Sequence, residues 1–146
     1  DDSPLVVMLR ARQKVELMKV PLFEDLVNDY VSSGNSVVVF LNFKDSLTSL
    51  GERLSGRHIV SIVEGGQASE VRDAHVKDFQ SNNTNVLLCM TQAGGTGLSL
   101  HDMHGDFPRV ALISPSFSAV DLRQALGRVH RASGASAAAS ALSLTI

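Results

Sequence analysis

Short apolar stretches alternate with stretches of helical spacing along most of this chain, and this alternation limits the fold more than any other feature. The apolar stretches predict strands at residues 36–43, 58–63, 85–90, 109–114 and 142–146. The spacing between them predicts helices at residues 5–19, 22–31, 44–54, 68–80 and 119–132, with Pro21 separating the first two. Strands that are apolar on both faces must pack against other elements on both faces. The pattern therefore predicts an α/β fold, an open parallel sheet with helices on both faces.

Composition narrows the class of protein. The chain has 146 residues, is 44% hydrophobic and carries a net charge of −2, so it has no basic coat. This length suits one domain, with lead-in helices over residues 1–35 and the main unit over residues 36–146. The longest uninterrupted run of aliphatic and aromatic residues, residues 37–41, is too short to span a membrane, and no basic, apolar leader is expected at the start of the chain. We expect an intracellular protein without a membrane segment. The single cysteine, Cys89, excludes an internal disulfide, and no metal site is predicted.

A polar face with two arginines is predicted on the helix at residues 119–132. Gln124, Arg128 and Arg131 share one face at helical spacing, with Gly127 beside them. Glycine inside a helix costs about 1 kcal/mol relative to alanine, which suggests that another group approaches closely there. The spacing leaves two interpretations open. The arginines either contact phosphate through their planar forks or form a solvated face that pairs with carboxylates elsewhere.

A glycine-rich loop follows the strand at residues 85–90 and spans residues 92–97. Such loops let backbone N–H groups converge on an anion or let another backbone approach closely. The loop does not match the dinucleotide-binding pattern G-x-G-x-x-G, because Leu100 stands where the third glycine would fall. The chain also contains no G-x-x-x-x-G-K-[ST] loop. It therefore lacks the usual means of holding a triphosphate with magnesium by itself.

Four ordered motifs resemble the second RecA-like lobe of superfamily 2 helicases and translocases. They are V-V-V-F-L-N-F at residues 37–43, E-G…R…F at residues 64–79, M-T-Q-A-G-G-T-G-L-S-L at residues 90–100, and Q-A-L-G-R-V-H-R at residues 124–131. The last two are most similar to the Swi/Snf-type branch and its viral and phage relatives. The sequence departs from the Swi/Snf pattern after Arg131, where the expected R-x-G-Q lacks its glutamine. The resemblance identifies residues 36–146 as a RecA-like helicase C-terminal domain.

The resemblance implies half of an ATP-driven motor. In this superfamily ATP with Mg²⁺ binds between two lobes, and the N-terminal lobe supplies the phosphate loop and the Mg²⁺-binding acid. Arg128 and Arg131 match the arginine fingers that neutralise charge on the γ-phosphate, and Gln124 would line the same cleft. The resemblance also assigns Gly95, Gly97 and Gly127 to cofactor binding. The implied partner is the N-terminal RecA-like lobe of the same parent protein, and the fragment alone is expected to be inactive.

The resemblance further implies a nucleic-acid partner, with DNA favoured over RNA. It assigns backbone contacts with the nucleic acid to Asn42, Gly65, Gln67, Thr91 and Gly94. Contacts of this kind follow a strand without reading its bases. Two other functions stay open: a non-catalytic RecA-like module that binds nucleic acid or protein, and a dinucleotide-binding enzyme, which the failed glycine pattern disfavours.

Overall fold

All five strands of the structure form one parallel sheet. The computed structural model describes residues 3–94, 105–115 and 140–143. The helices are α1 (Pro4–Ser32), α2 (Lys44–Leu54), α3 (Ser69–Gln80) and the short α4 (Thr91–Gly94), and the strands are β1 (Ser36–Leu41), β2 (Val60–Val63), β3 (Val86–Met90), β4 (Arg109–Ile113) and β5 (Ser140–Ser143). The strand order is β2-β3-β1-β4-β5, with every neighbouring pair parallel. The predicted open parallel sheet is confirmed.

The lead-in segment is one helix, so the prediction of two helices broken at Pro21 is wrong. Ser3 caps α1 by accepting a hydrogen bond from the N–H of Val6, and the helix then continues through Pro21 to Ser32. An interior proline removes one helical hydrogen bond and costs about 3 kcal/mol. Burial outweighs that cost, because Val20, Phe23 and Val27 lie on one side of the helix and are almost completely buried against the sheet. The domain boundary at residue 35 stays a prediction.

Alternate residues of the central strands contribute their side chains to two hydrophobic cores, one on each face of the sheet. On one face, Val37, Val39 and Leu41 of β1 belong to the core that α1 and α2 cover. On the other face, Val38 and Phe40 belong to a core with Phe79 of α3. Because strand side chains point alternately to opposite faces, the all-buried pattern of β1 requires helices on both sides.

The strand register brings the carboxyl ends of the strands to one edge of the sheet. Leu41 is level with Met90, and Val63 is level with Cys89, one residue earlier on β3. Ile113 is level with Phe40. We call this side the carboxyl edge, comprising Asn42, Glu64–Gln67, Thr91–Gly94 and Ser114–Pro115. Open parallel sheets place their binding sites at this edge. Among the described residues, no helix has both the length and the apolar character of a membrane span.

Candidate nucleic-acid interface

A buried carboxylate from α1 organises the carboxyl edge. Glu16 is only 3% exposed. Its Oε1 accepts from the backbone N–H of Phe43 at 3.0 Å, and its Oε2 accepts from the backbone N–H of Asn42 at 3.0 Å and from the Ser114 hydroxyl at 2.8 Å. These donors follow the ends of β1 and β4. Burial of a carboxylate is tolerated when hydrogen bonds satisfy its oxygens, and Glu16 thereby holds the two strand ends together.

Glu16 and Ser114 are the residues that the sequence analysis missed. Glu16 lies four, seven and eleven residues before Val20, Phe23 and Val27, so helical spacing puts an acidic residue in line with an apolar stripe. An acidic residue on a buried helix face requires donors from elsewhere. The acidic residue on an apolar helix face is the sequence signal that could have revealed the role of Glu16. Splitting α1 at Pro21 hides the signal, because Glu16 and Phe23 then fall on different predicted helices.

The side-chain amide of Asn42 is held in one orientation. Its Nδ2 carries two hydrogens and donates them to the Glu16 carboxylate at 3.0 Å and to the backbone oxygen of Pro115 at 2.7 Å, with the backbone oxygen of Ser114 sharing one of them at 3.3 Å. All three partners are acceptors, so only the amino group of the amide can occupy this position. Asn42, predicted to contact nucleic acid, is therefore also a structural link between the ends of β1 and β4.

Thr91 lies at the carboxyl edge but its side chain is turned to an internal partner. The residue is 4% exposed, and its hydroxyl donates to the backbone oxygen of Leu41 at 3.2 Å. Thr91 thereby fastens the start of α4 to the end of β1. Part of the predicted glycine-rich loop forms the single helical turn α4, which ends at Gly94. The structure gives Thr91 a positioning role, while its predicted nucleic-acid contact stays a prediction.

Gly65 and Gln67 lie in a tight turn that follows β2. The Gln67 amide folds back onto the strand, with Nε2 donating to the backbone oxygen of Ile62 at 3.0 Å and Oε1 accepting from the N–H of Glu64 at 3.3 Å. Gly66 has a φ of +79°, which favours glycine. Gly65 is exposed, and no atom lies within 4 Å of the position a Cβ would take. The backbone at Gly65 is therefore open to approach by a ligand.

The predicted ATP-contacting residues lie outside the described part of the chain. These are Gln124, Arg128, Arg131, Gly95, Gly97 and Gly127. Arg109, at the start of β4, has a structural role. It is fully buried and donates to the backbone oxygens of Phe79 and Phe107 and to Asn82 Oδ1. Its guanidinium also lies 4.4 Å from the centroid of the Phe79 ring. Within the described residues, no three His, Cys, Asp or Glu side chains group to hold a metal.

Comparison with known families agrees with this geometry. The family model described as helicase conserved C-terminal domain matches residues 18–133. The chain belongs to this helicase C-terminal domain family. The match includes about half of α1, all of the carboxyl edge and the segment with Arg128 and Arg131. The resemblance to a helicase C-terminal lobe is confirmed.

Three relatives carry related names. L364 of Acanthamoeba polyphaga mimivirus, which bears the name of an ATP-dependent RNA helicase, is 37% identical over 127 residues, which are 87% of this chain and 23% of L364. The pre-mRNA-splicing ATP-dependent RNA helicase PRP28 of Candida glabrata is 26% identical, over 77% of this chain and 17% of PRP28. The human DNA excision repair protein ERCC-6-like is 28% identical, over 77% of this chain and 9% of that protein. The chain thus spans less than a quarter of each relative.

Solved structures share the fold. The C-terminal part of the Fun30 ATPase domain aligns with a TM-score of 0.72 at 23% identity, covering 87% of this chain and 41% of that one. T4 UvsW aligns with a TM-score of 0.68 at 14% identity, over 92% of this chain and 27% of UvsW. Domain 2 of the DEAD-box helicase Mss116p, bound to an RNA duplex, aligns with a TM-score of 0.62 at 14% identity, over 91% of this chain and 50% of that one. At these identities the likeness establishes the RecA-like helicase fold.

Proposed function

We propose that this chain is the C-terminal motor lobe of a nucleic-acid-dependent ATPase. In this proposal ATP with Mg²⁺ is held by an N-terminal lobe of the same parent protein and supplies the bond that is hydrolysed. Arg128 and Arg131 neutralise the negative charge at the γ-phosphate, and Gln124 lines the cleft with Gly95, Gly97 and Gly127. A motor that consumes ATP works where ATP is abundant, so we place the parent protein inside the cell.

The observation that carries this proposal is the common edge shared by three separate motifs. Asn42, Gly65–Gln67 and Thr91–Gly94 come from different parts of the sequence, and the sheet register brings them to the carboxyl edge. A nucleic-acid strand running along this edge would meet the exposed backbone at Gly65 and the end of β1. Backbone and amide contacts of this kind suit sequence-independent binding. A chain with a net charge of −2 then needs only a few local contacts.

The sequence-based preference for DNA over RNA finds no support in the comparisons. Two of the three relatives carry RNA helicase names, and one carries the name of a DNA repair protein. The proposed partner is therefore a nucleic-acid strand of either sugar.

Replacement of Arg128 by alanine in the full-length parent protein tests the motor assignment. We expect kcat for nucleic-acid-stimulated ATP hydrolysis to fall roughly 10³- to 10⁵-fold, because this is what an arginine finger contributes. Arg128→Lys should recover little activity, since a point charge cannot reproduce the planar fork. The melting temperature should change little, as is usual for substitutions on a polar helix face. Steady-state ATPase assays and thermal melts on the same samples measure both quantities.

Arg123→Ala is the matched control, since it removes an arginine from the same predicted helix outside the motif. It should retain near-normal stimulated hydrolysis. The motor assignment fails if Arg128→Ala hydrolyses ATP at the rate of this control. That result would favour the non-catalytic RecA-like module instead.

A further inference from the structure

The orientation of the Asn42 amide decides what this side chain can offer a ligand. Its amino group is occupied by the Glu16 carboxylate and by the backbone oxygens of Ser114 and Pro115. Turning the amide over would set Oδ1 against these three acceptors, with the Pro115 oxygen 2.7 Å from the position that Oδ1 would take. Two acceptors without a proton between them repel, so the protein holds the amide in one of its two orientations.

The carbonyl oxygen of the Asn42 amide, Oδ1, is the atom of this side chain that remains available to a ligand. Oδ1 of Asn42 makes no hydrogen bond to any residue in the described ranges, and Asn42 is only partly buried. This oxygen is an acceptor, whereas the oxygens of a phosphodiester are themselves acceptors. A phosphate therefore cannot satisfy it. The nucleotide groups that can are the donors, namely the ribose 2′-hydroxyl and the N–H groups of the bases.

We propose that Asn42 accepts a hydrogen bond from a nucleotide donor at the carboxyl edge, and that the ribose 2′-hydroxyl of an RNA strand supplies it. This inference rests on the proposed function, because it requires a strand at this edge. Every nucleotide of an RNA strand carries a 2′-hydroxyl whatever its base, which fits an edge whose other contacts are with backbone. Asn42 then lets the lobe distinguish RNA from DNA without reading sequence.

Three strands of one sequence test the proposal: RNA, DNA and fully 2′-fluoro RNA. The 2′-fluoro strand keeps an RNA-like sugar shape but has no hydroxyl donor. Fluorescence anisotropy titrations of this chain at fixed salt should give RNA binding about 2- to 10-fold tighter than DNA, the range of one net hydrogen bond. The 2′-fluoro strand should bind like DNA. If it binds like RNA, strand shape causes the preference and the proposal is overturned.

A matched pair of variants assigns the preference to Asn42. Asn42→Ala removes the acceptor and should bring the ratio of RNA to DNA affinity close to one. Ser61→Ala removes a buried hydrogen bond away from the carboxyl edge, between its hydroxyl and that of Thr84, and should leave the ratio unchanged. The ratio is compared among folded variants, as judged by circular dichroism. If Asn42→Ala does not fold, the 2′-fluoro comparison with the unmodified chain still decides whether a 2′-hydroxyl is the donor, and equal binding of RNA and 2′-fluoro RNA overturns the proposal.

The remaining outcomes separate this proposal from the one it rests on. If homopolymers of different bases bind with different affinities, and Asn42→Ala removes that difference instead, a base N–H is the donor and the acceptor role stands. If RNA and DNA bind equally and Asn42→Ala changes nothing, the acceptor role is overturned while the interface survives. If no strand binds at all, the interface itself is overturned, and this inference with it.

Discussion

The two ends of the sheet each bury a charged side chain, and they use it differently. At the carboxyl edge the charge is Glu16, which accepts hydrogen bonds from residues that follow β1 and β4. At the opposite end, which we call the amino edge, it is Arg109 at the start of β4. Arg109 donates to Phe79 in the last turn of α3, to Phe107 and to Asn82. Both charges fasten loops to the sheet.

The two networks differ in whether they leave a hydrogen-bonding group available to a ligand. The amino edge joins polar groups to one another, as where Ser61 and Thr84 share a buried hydrogen bond and Asn35 donates to the Pro108 oxygen. At the carboxyl edge the Glu16 network fixes Asn42 but leaves its Oδ1 without a partner among the described residues. A buried charged side chain therefore stabilises the fold at the amino edge, and at the carboxyl edge it also orients a side chain that a ligand can contact.

Arg109→Leu should produce the largest loss of stability. Leucine keeps some contact with Phe79 but removes three hydrogen bonds of a charged donor, to the Phe79 and Phe107 oxygens and to Asn82 Oδ1. A hydrogen bond to a charged group contributes about 1.5–3 kcal/mol, so we expect the free energy of unfolding to fall by about 3 kcal/mol or more. Urea denaturation measures this change. The affinity of the remaining folded protein for RNA should be unaltered.

Arg53→Leu is the control for that prediction. Arg53 forms an ion pair with Glu24 at 2.9 Å, but its side chain is 46% exposed. Exposed ion pairs contribute about 0–1 kcal/mol, so this variant should be far less destabilised. Equal losses for the two variants would mean that the Arg109 network does not hold the amino edge.

Glu16→Gln should produce an intermediate loss of stability together with a change in binding. The new amino group must lie against either the N–H groups of Asn42 and Phe43 or the Nδ2 of Asn42, so donor meets donor in both orientations. We expect the free energy of unfolding to fall by about 1–3 kcal/mol. The ratio of RNA to DNA affinity should also fall, because the Asn42 amide loses one of the three acceptors that hold its orientation.

Glu24→Gln is the matched change on the same helix, at the partly exposed ion pair with Arg53. It should lower stability by no more than about 1 kcal/mol and leave the affinity ratio unchanged. If Glu16→Gln loses stability but keeps the full RNA preference, Glu16 only stabilises the fold and the two edges are alike.

Local patterns predict this fold well, whereas the site depends on contacts between distant segments. Helix α2 has the predicted bounds, and the strands agree within two residues except at the end of the chain, because apolar runs and turn residues are local signals. Pro21 gives a wrong prediction, because the burial of Phe23 and Val27 outweighs the tendency of proline to end a helix. The apolar residue Val71 is 48% exposed, because the buried face of α3 is set by Val76 and Phe79.

The resemblance could place Asn42 at a functional edge but not orient its side chain. Orientation comes from Glu16, 26 residues earlier, and from the Ser114 and Pro115 oxygens more than 70 residues later. Nothing in the spacing of one sequence links these positions. The acidic residue on an apolar helix stripe was the one local sign, and it becomes visible once α1 is treated as a single helix.

The smallest expected effect separates two neighbouring glycines of the carboxyl edge. Gly66→Ala forces a side chain onto a residue with φ of +79° and should lower the free energy of unfolding by about 1 kcal/mol, although space for a methyl group is available.

Gly65→Ala meets neither obstacle, because its backbone is not in the left-handed region and no atom lies within 4 Å of the added Cβ. Its urea midpoint should therefore match that of the unmodified chain. If a strand approaches the Gly65 backbone, the same methyl group stands in its way, and the affinity for RNA and for DNA should fall together while their ratio is kept. Unchanged affinity for both would remove Gly65 from the interface and leave the end of β1, with Asn42, as the part of the carboxyl edge that meets the strand.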